Sequence, residues 1–284
     1  MTFAVRQISL QFSGASNEPL NLDGLRCVAV ISNPGGYAPF GQLQLKVYGM
    51  TLDQMNLYSG TTPVSVALQN LNVTLSAGNE GEALKQVFKG GIINSYIDFS
   101  SLPDVSFNVA AVSAYFHKGA PSAANNFKGA QTAQNIIKAL APKANLAVVD
   151  NSTLQKTVYN QVLSGSIIDQ IVKVSIDSAL PISIENDTIT MWDNGGTKKG
   201  AVININPQNG LVGYPSYWEA GLNVKSEFNP NLSMGVMVNL TSSIVKSNGQ
   251  YPIMMATHEI STLAPDGAWF TTMKLSPSNY LAQN

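Results

Sequence analysis

The stretch HEIST, residues 258–262, comes nearest to a catalytic motif in this chain. It opens like the His-Glu-x-x-His of zinc peptidases, where two histidines four apart on one helix face hold the metal and the glutamate acts as base. Thr262 stands where the second histidine is needed, and the run is strand-like, so its ends would not converge. The other histidine is His117 and the one cysteine is Cys27, too few soft ligands for a conventional zinc set. Cys27 lies in the apolar run RCVAVIS, reads as a buried strand thiol, and has no second cysteine for an internal disulfide. GYAPFGQL spaces Gly36 and Gly41 like a phosphate loop but puts Gln42 and Leu43 where Lys and Ser/Thr must stand, so it reads as a plain turn.

Asp98, Asp104, Glu219 and Glu227 would make a glycosidase only if two of them met about 5–10 Å apart in a cleft; each instead sits where a solvated strand edge or turn is expected. No G-x-S-x-G elbow occurs. Trp192, Trp218 and Trp269 with Tyr214 and Tyr217 could stack on sugar rings, but Trp192 and Trp269 lie in alternating strands, as core or interface residues do. Asn-x-Ser/Thr triplets such as residues 72–74 and 151–153 need no glycan in a chain so rich in these residues. Catalytic, cofactor-binding and metal-ligating residues are accordingly assigned as none, and no cofactor is expected.

The elements behind these residues are mostly strands. In VSFNVAAVSAY, Val105, Phe107, Val109, Ala111, Ser113 and Tyr115 share one parity, the period-two mark of a half-buried strand. Apolar parity switches between Val5 and Ile8, and again between Leu68 and Leu71, predicting β-bulges. Lys89, Gly90 and Gly91 read as a hairpin connection, and TLDQMNLYS as a short helix capped by Thr51 with Leu52, Met55 and Tyr58 inward. HKGAPSAANNFKG, residues 117–129, reads as a linker.

Beyond it the period changes. Ala133, Ile136, Ile137 and Leu140 mark an amphipathic helix ended by Pro142; Ser166 and Asp169 form a capping box before the stripe Ile167, Ile168, Ile171 and Val172. PISIENDTITMW is a hairpin turning at residues 185–187. From Ala201 the chain returns to short strands: AVINI, GLVG, WEAGLNVKSEF, GVMVNL, QYPIMMATHEI and GAWFTTMKLS. Among them FNPNLSMGVMVNL, residues 228–240, writes a sharp turn: Pro230 pre-sets φ, the asparagines tolerate turn geometry, Leu232 pins it to a core, and Gly235 permits a bulge before Val236, Val238 and Leu240. The fold class is mainly β with an inserted α+β module.

Composition narrows function. The chain has 284 residues, a net charge of −1 and 12% charged residues, about half the usual share for a soluble domain. A basic nucleic-acid face is not expected. Asn, Ser, Thr and Gln replace the missing charge beside 44% apolar residues, which suits burial against neighbours. The start MTFAVRQISLQF reads as a first strand rather than a signal peptide, and no apolar run approaches the ~20 residues of a membrane helix, so the free chain is not expected to insert in a membrane.

Residues 209–276 resemble the C-terminal part of tailed-bacteriophage baseplate hub proteins. The likeness is carried in order by a Gly-x-Pro turn at residues 213–215, Phe-Asn-Pro-x-Leu-x-x-Gly at 228–235, Asn-Gly-x-Tyr at 248–251, His258, and Gly-x-Trp-x-Thr at 267–271. Upstream, LQLKVYGMTLDQMNLYS resembles the first tube-domain strand and the segment after it, and QTAQNIIKALA, GSIIDQIVKV and DTITMW resemble the family's inserted α+β module.

The resemblance implies two tail-tube-like β-barrel domains plus that module, divided as residues 1–124, 125–200 and 201–284, the last region open to completion by strands of the N-terminal half. It implies a homotrimer whose six barrels form a pseudo-sixfold ring joining the sixfold tail tube to the threefold central spike. Expected partners are the tail tube protein, the central spike protein and other baseplate proteins, without nucleic-acid sequence recognition. The expected place is the baseplate of a virion or phage-like contractile injection system, assembled in the host cytoplasm, and the expected role is structural, not enzymatic. A carbohydrate-binding tail or surface module, built on Trp218, Tyr214 and Tyr217, is the alternative; a carboxylate glycosidase is a third reading.

Overall fold

The computed structural model describes residues 5–33, 39–67, 69–120 and 122–277. Four strands, β1 (Arg6–Ser13), β2 (Leu20–Asp23), β3 (Cys27–Asn33) and β4 (Gln42–Tyr48), lead to short helices α1 (Leu52–Leu57) and α2 (Pro63–Ala67), then to β5 (Asn72–Asn79), β6 (Lys85–Asp98) and β7 (Ser106–Val112). Next come α3 (Tyr115–Gly119), β8 (Asn125–Thr132), α4 (Ala133–Leu140), β9 (Ala147–Asp150), β10 (Thr157–Leu163), α5 (Ile167–Asp177), β11 (Ile182–Glu185) and β12 (Thr188–Met191). The chain finishes with β13 (Ile203–Ile205), β14 (Leu211–Trp218), β15 (Gly221–Glu227), β16 (Met237–Leu240), β17 (Gly249–Thr262) and β18 (Trp269–Leu275). The architecture is mainly β.

One sheet runs β14-β15-β18-β17-β3-β4-β7-β6-β5-β1-β2, with β16 on β17 and β13 on β16. Strand alternation fixes its faces. Cys27, Ala29 and Ile31 of β3, Leu43, Leu45 and Val47 of β4, and Phe107, Val109 and Ala111 of β7 all point to one side and bury there. They form a first core with Ile8, Leu10 and Phe12 of β1 and Val73 and Leu75 of β5. The far end of the chain completes it: Ile260 of β17 and Trp269 of β18 are members. The sheet curls until Arg6 of β1 donates to the Gly267 carbonyl and stacks over the Trp269 ring.

A second core joins Val224 of β15, Val238 and Leu240 of β16, Ile253 and Ala256 of β17, and Met273 and Leu275 of β18. Strands β17 and β18 therefore cross from one core to the other. Ala256 and Ile260 share a parity, as do Trp269 and Met273, so both cores lie on the same side of one sheet. The third core is separate: α4 and α5 lie over the small sheet β11-β12-β9, with the ribbon β8–β10 beside them.

The helices form as their capping and periodicity dictate. Ala133, Ile136, Ile137 and Leu140 bury along α4, and a 3₁₀ turn containing Pro142 follows. Ser166 and Asp169 close the capping box of α5, whose buried stripe takes Val174 fully and Val172 only partly. The β11–β12 hairpin turns through Asn186 and Asp187, both at positive φ.

Several local expectations are corrected. Val5 precedes β1, whose pairing with β5 shows no register shift, so no bulge explains the Val5/Ile8 switch. Leu68 lies outside the described residues, and the run before it is helix α2, with strand β5 starting only at Asn72. In the N-terminal part of the sheet the register shifts fall at Leu75/Ser76 and Ile92/Asn94 instead. Lys89, Gly90 and Gly91 are not a hairpin but the middle of the 14-residue strand β6. A Cβ on Gly90 would stand 2.5 Å from the Val112 carbonyl oxygen, so glycine serves close approach there, not a turn. Leu52 of α1 points outward while Met55 and Tyr58 bury. Within residues 117–129 the strand β8 already begins at Asn125, and α3 holds His117. Trp218 ends β14, and the turn at Glu219 and Ala220 separates it from β15.

Candidate assembly surface and core junction

The turn at residues 228–235 ties the two sheet cores together. Asn229 Oδ1 accepts the Asn231 amide at 3.0 Å and the Asn229 carbonyl accepts the Leu232 amide at 3.1 Å, an Asx turn inside a β-turn with Pro230 at its second position. Phe228, before the turn, packs edge-on against His258 and Trp269 of the first core; Leu232, after it, is buried in the second. Gly235 has φ +83°, its amide donates to the Ile253 carbonyl, and a Cβ there would meet the Trp192 ring at 3.0 Å. The turn thus has one foot in each core and its end against the third unit.

His258 is part of this framework. It lies in β17, its Nδ1 3.0 Å from Thr271 Oγ1, and burial pushes its pKa down to about 4. Burial likewise pushes the Cys27 thiol up to about 12, against a smaller lowering by the Thr262 hydroxyl, so it stays an unreactive thiol at neutral pH. Asp98 ends β6 and caps the Ser100 amide; the Ser100 hydrogen bonds hold its carboxyl below the usual range. Asp104 pairs with Arg26, Glu219 lies in the turn before β15, and Glu227 ends that strand. Gln42 and Leu43 belong to β4, and Gly36 lies outside the described residues. Among the described residues, no group of three or more His, Cys, Asp or Glu is placed to hold a metal ion.

The five aromatics do not share one platform. Trp192 and Trp269 are buried. Trp218 donates its indole N–H to the Leu275 carbonyl beneath the Lys274 ammonium. Tyr214 and Tyr217 are 73% and 65% exposed on the edge strand β14.

The side of the sheet opposite the two cores is open. Registers align its residues into rows across seven strands. One row is Glu227, Phe270, Glu259, Val30, Gln44, Ala110 and Asn94; another is Lys225, Thr272, Thr257, Ser32 and Gln42. A third, Val28, Lys46, Asn108 and Tyr96, borders a shallow depression. This surface mixes polar residues with Val28, Val30, Phe270 and Tyr96, and it carries charges of both signs at Lys46, Lys225, Glu227 and Glu259. Its limits are the sheet ends β14 and β2, whose outer edges pair with no other strand among the described residues. Sequence reading located the turn but not this face, because the signal is a register between strands far apart in the chain.

A family profile described as "Baseplate hub gp41" matches residues 41–272. No curated protein matches the sequence. Among solved structures, the tail protein from Neisseria meningitidis MC58 is similar with a TM-score of 0.66 at 10% identity, covering 98% of each chain. The 43 kDa tail protein of prophage MuSo2 from Shewanella oneidensis gives 0.63 at 9% identity, covering 97% of this chain and 99% of that one. A chain of the half-lidded Francisella PdpA–VgrG complex gives 0.52 at 9% identity, covering 96% of this chain and 58% of that one. At such identities the structural likeness shows the fold.

Proposed function

The chain belongs to the baseplate hub gp41 family, and from that membership we propose that this structural baseplate protein forms a trimeric ring joining a sixfold tail tube to a threefold central spike. The observation that carries the proposal is the single sheet with two cores on one side and one open face on the other. Two cores per chain make six units per trimer, which is the count needed to meet a sixfold tube from a threefold base. In this reading the two units are tail-tube-like barrels, the first completed by β17 and β18, with residues 125–200 as the α+β module between them. The open face lines the ring interior.

The free edges at β14 and β2 support association, since unpaired edges are satisfied when a ring closes. The particle is a phage tail or a related contractile injection system, and the partners are tube, spike and other baseplate proteins. The role is structural, in keeping with the family. Among the described residues no helix is long and apolar enough to cross a membrane.

Mixing the chain with its tube protein and imaging the product tests the joining role. The reading expects rings stacked coaxially on tube ends. Tube ends left bare at saturating concentrations of the chain would refute it.

A further inference from the structure

The unit spanning β8 to β12 closes its core almost wholly among its own residues; Ala114 and the Phe40 ring are what the rest of the chain adds. It meets the rest of the chain where α3 packs on α5, where the buried Trp192 ring lies against Gly235, and at the β11–β12 hairpin, whose contacts are polar. There the Ile184 amide donates to the Pro39 carbonyl at 2.9 Å, and the Ile184 carbonyl accepts from Ser113 Oγ at 3.0 Å. The remaining tip contacts are charged: Glu185 accepts from Asn33 Nδ2 and pairs with Lys198, and Asp187 pairs with Lys89.

Under this tip lies a cleft of about 200 Å³ whose walls mix Asn33, Lys89 and Glu185 with Ile31, Phe88 and Pro230. Asn33 Oδ1, on the cleft wall, is buried without a hydrogen-bond partner from the chain. Unmet polar groups weaken a docked seam. The Lys89–Asp187 pair is about two-fifths exposed on each side, so salt screens it. Polar seams of this kind inside a chain behave like transient interfaces.

The connection after the unit has the anatomy of a hinge. Asp193 is fixed to the unit by accepting from the Thr153 amide and hydroxyl and the Leu154 amide. The Lys198 amide is fixed to the other side by donating to the Gly235 carbonyl. Between these anchors stand Gly195 and Gly196. Lys198 Nζ then reaches back across the hinge to Glu185.

We propose that residues 125–193 are a docked arm, held by a polar latch at Glu185 and Asp187 and released as one body about Gly195 and Gly196. The device is a property of the single chain and does not depend on ring formation.

Hydrogen exchange by mass spectrometry on the full chain tests it, comparing wild type with the double variant Glu185→Gln/Asp187→Asn. The Ile184 amide should exchange about tenfold faster in the variant, while α5 and β17 amides keep wild-type rates. Exchanging the charges, Lys89→Asp with Asp187→Lys, should slow Ile184 relative to Asp187→Lys alone. If the double variant does not fold, raising salt on the wild-type chain makes the same comparison, with Ile184 accelerating and α5 unmoved. Unchanged Ile184 exchange in the folded variant or at high salt would overturn the latch. Loss of α5 protection in step with Ile184 would overturn the single-body arm.

Discussion

Thr271 Oγ1 lies 3.0 Å from Nδ1 of the buried His258, and the same hydroxyl oxygen accepts the Asn229 amide at 3.2 Å. With one proton and two acceptor lone pairs, the hydroxyl serves both the Asn229 amide and the neutral imidazole. Strands β17 and β18 thereby hold the turn that links the two cores. The residue that most resembles a catalytic histidine in the sequence is buried between Thr271 and Phe228.

Burial disfavours the protonated ring, and the sign of the pH dependence follows. Burial lowers the folded-state pKa of His258 to about 4, below the ~6.5 of an unfolded histidine. Between these values the unfolded chain binds the extra proton. The contribution is therefore complete above pH 6.5, shrinks as pH falls toward 4, and is gone below it. Urea unfolding at pH 7 and 4.5 should show wild type losing about 2 kcal/mol more than His258→Met between the two conditions. Equal losses would mean that His258 titrates freely in the folded chain.

Gly235→Val combines a positive φ with a Cβ pressed on the Trp192 ring. Unfolding stability should drop by about 2–3 kcal/mol. Pro230→Ala frees the turn only in the unfolded chain and should lower stability by about 0.5–1 kcal/mol. Chemical denaturation separates the two; a Gly235→Val midpoint within error of wild type would contradict the bracing role of the turn.

Gly90→Ala tests the reassignment of β6 as one continuous strand. The added methyl would stand 2.5 Å from the Val112 carbonyl oxygen and 2.7 Å from the Phe88 ring. Its cost should exceed the ~1 kcal/mol scale of an ordinary strand substitution and reach about 3 kcal/mol. A hairpin at this place would instead tolerate alanine, and thermal melting distinguishes the two.

Ser166→Ala removes half of the α5 capping box and should destabilise the α+β unit by about 1 kcal/mol. Because that unit has its own core, exchange should quicken in α4 and α5 more than in β3 or β4. Uniform acceleration throughout the chain would contradict a separate cooperative unit.

Local signals were legible in the sequence. The α4 and α5 stripes, both caps, the β11–β12 hairpin and the Asn229–Leu232 turn are written in residues within a few positions of one another, where periodicity and turn chemistry act. What escaped was set at long range. Gly90 and Gly91 look like a turn until Val112 and Phe116 are brought against them. The Val5/Ile8 parity switch marks a strand start, which alternation alone does not separate from a bulge. The open face is spread over strands from β3 to β18 and has no contiguous signature. The likeness over residues 209–276 was readable because its turns come in series, and the family match spans residues 41–272.

The most direct test of the ring is the mass of the purified chain in solution across a wide concentration range, followed by class averages of any assembly. The account predicts a species of three chains with pseudo-sixfold projections, present alone or on adding tube or spike protein. A chain that stays monomeric at every concentration, and forms no ring with either partner, would contradict it.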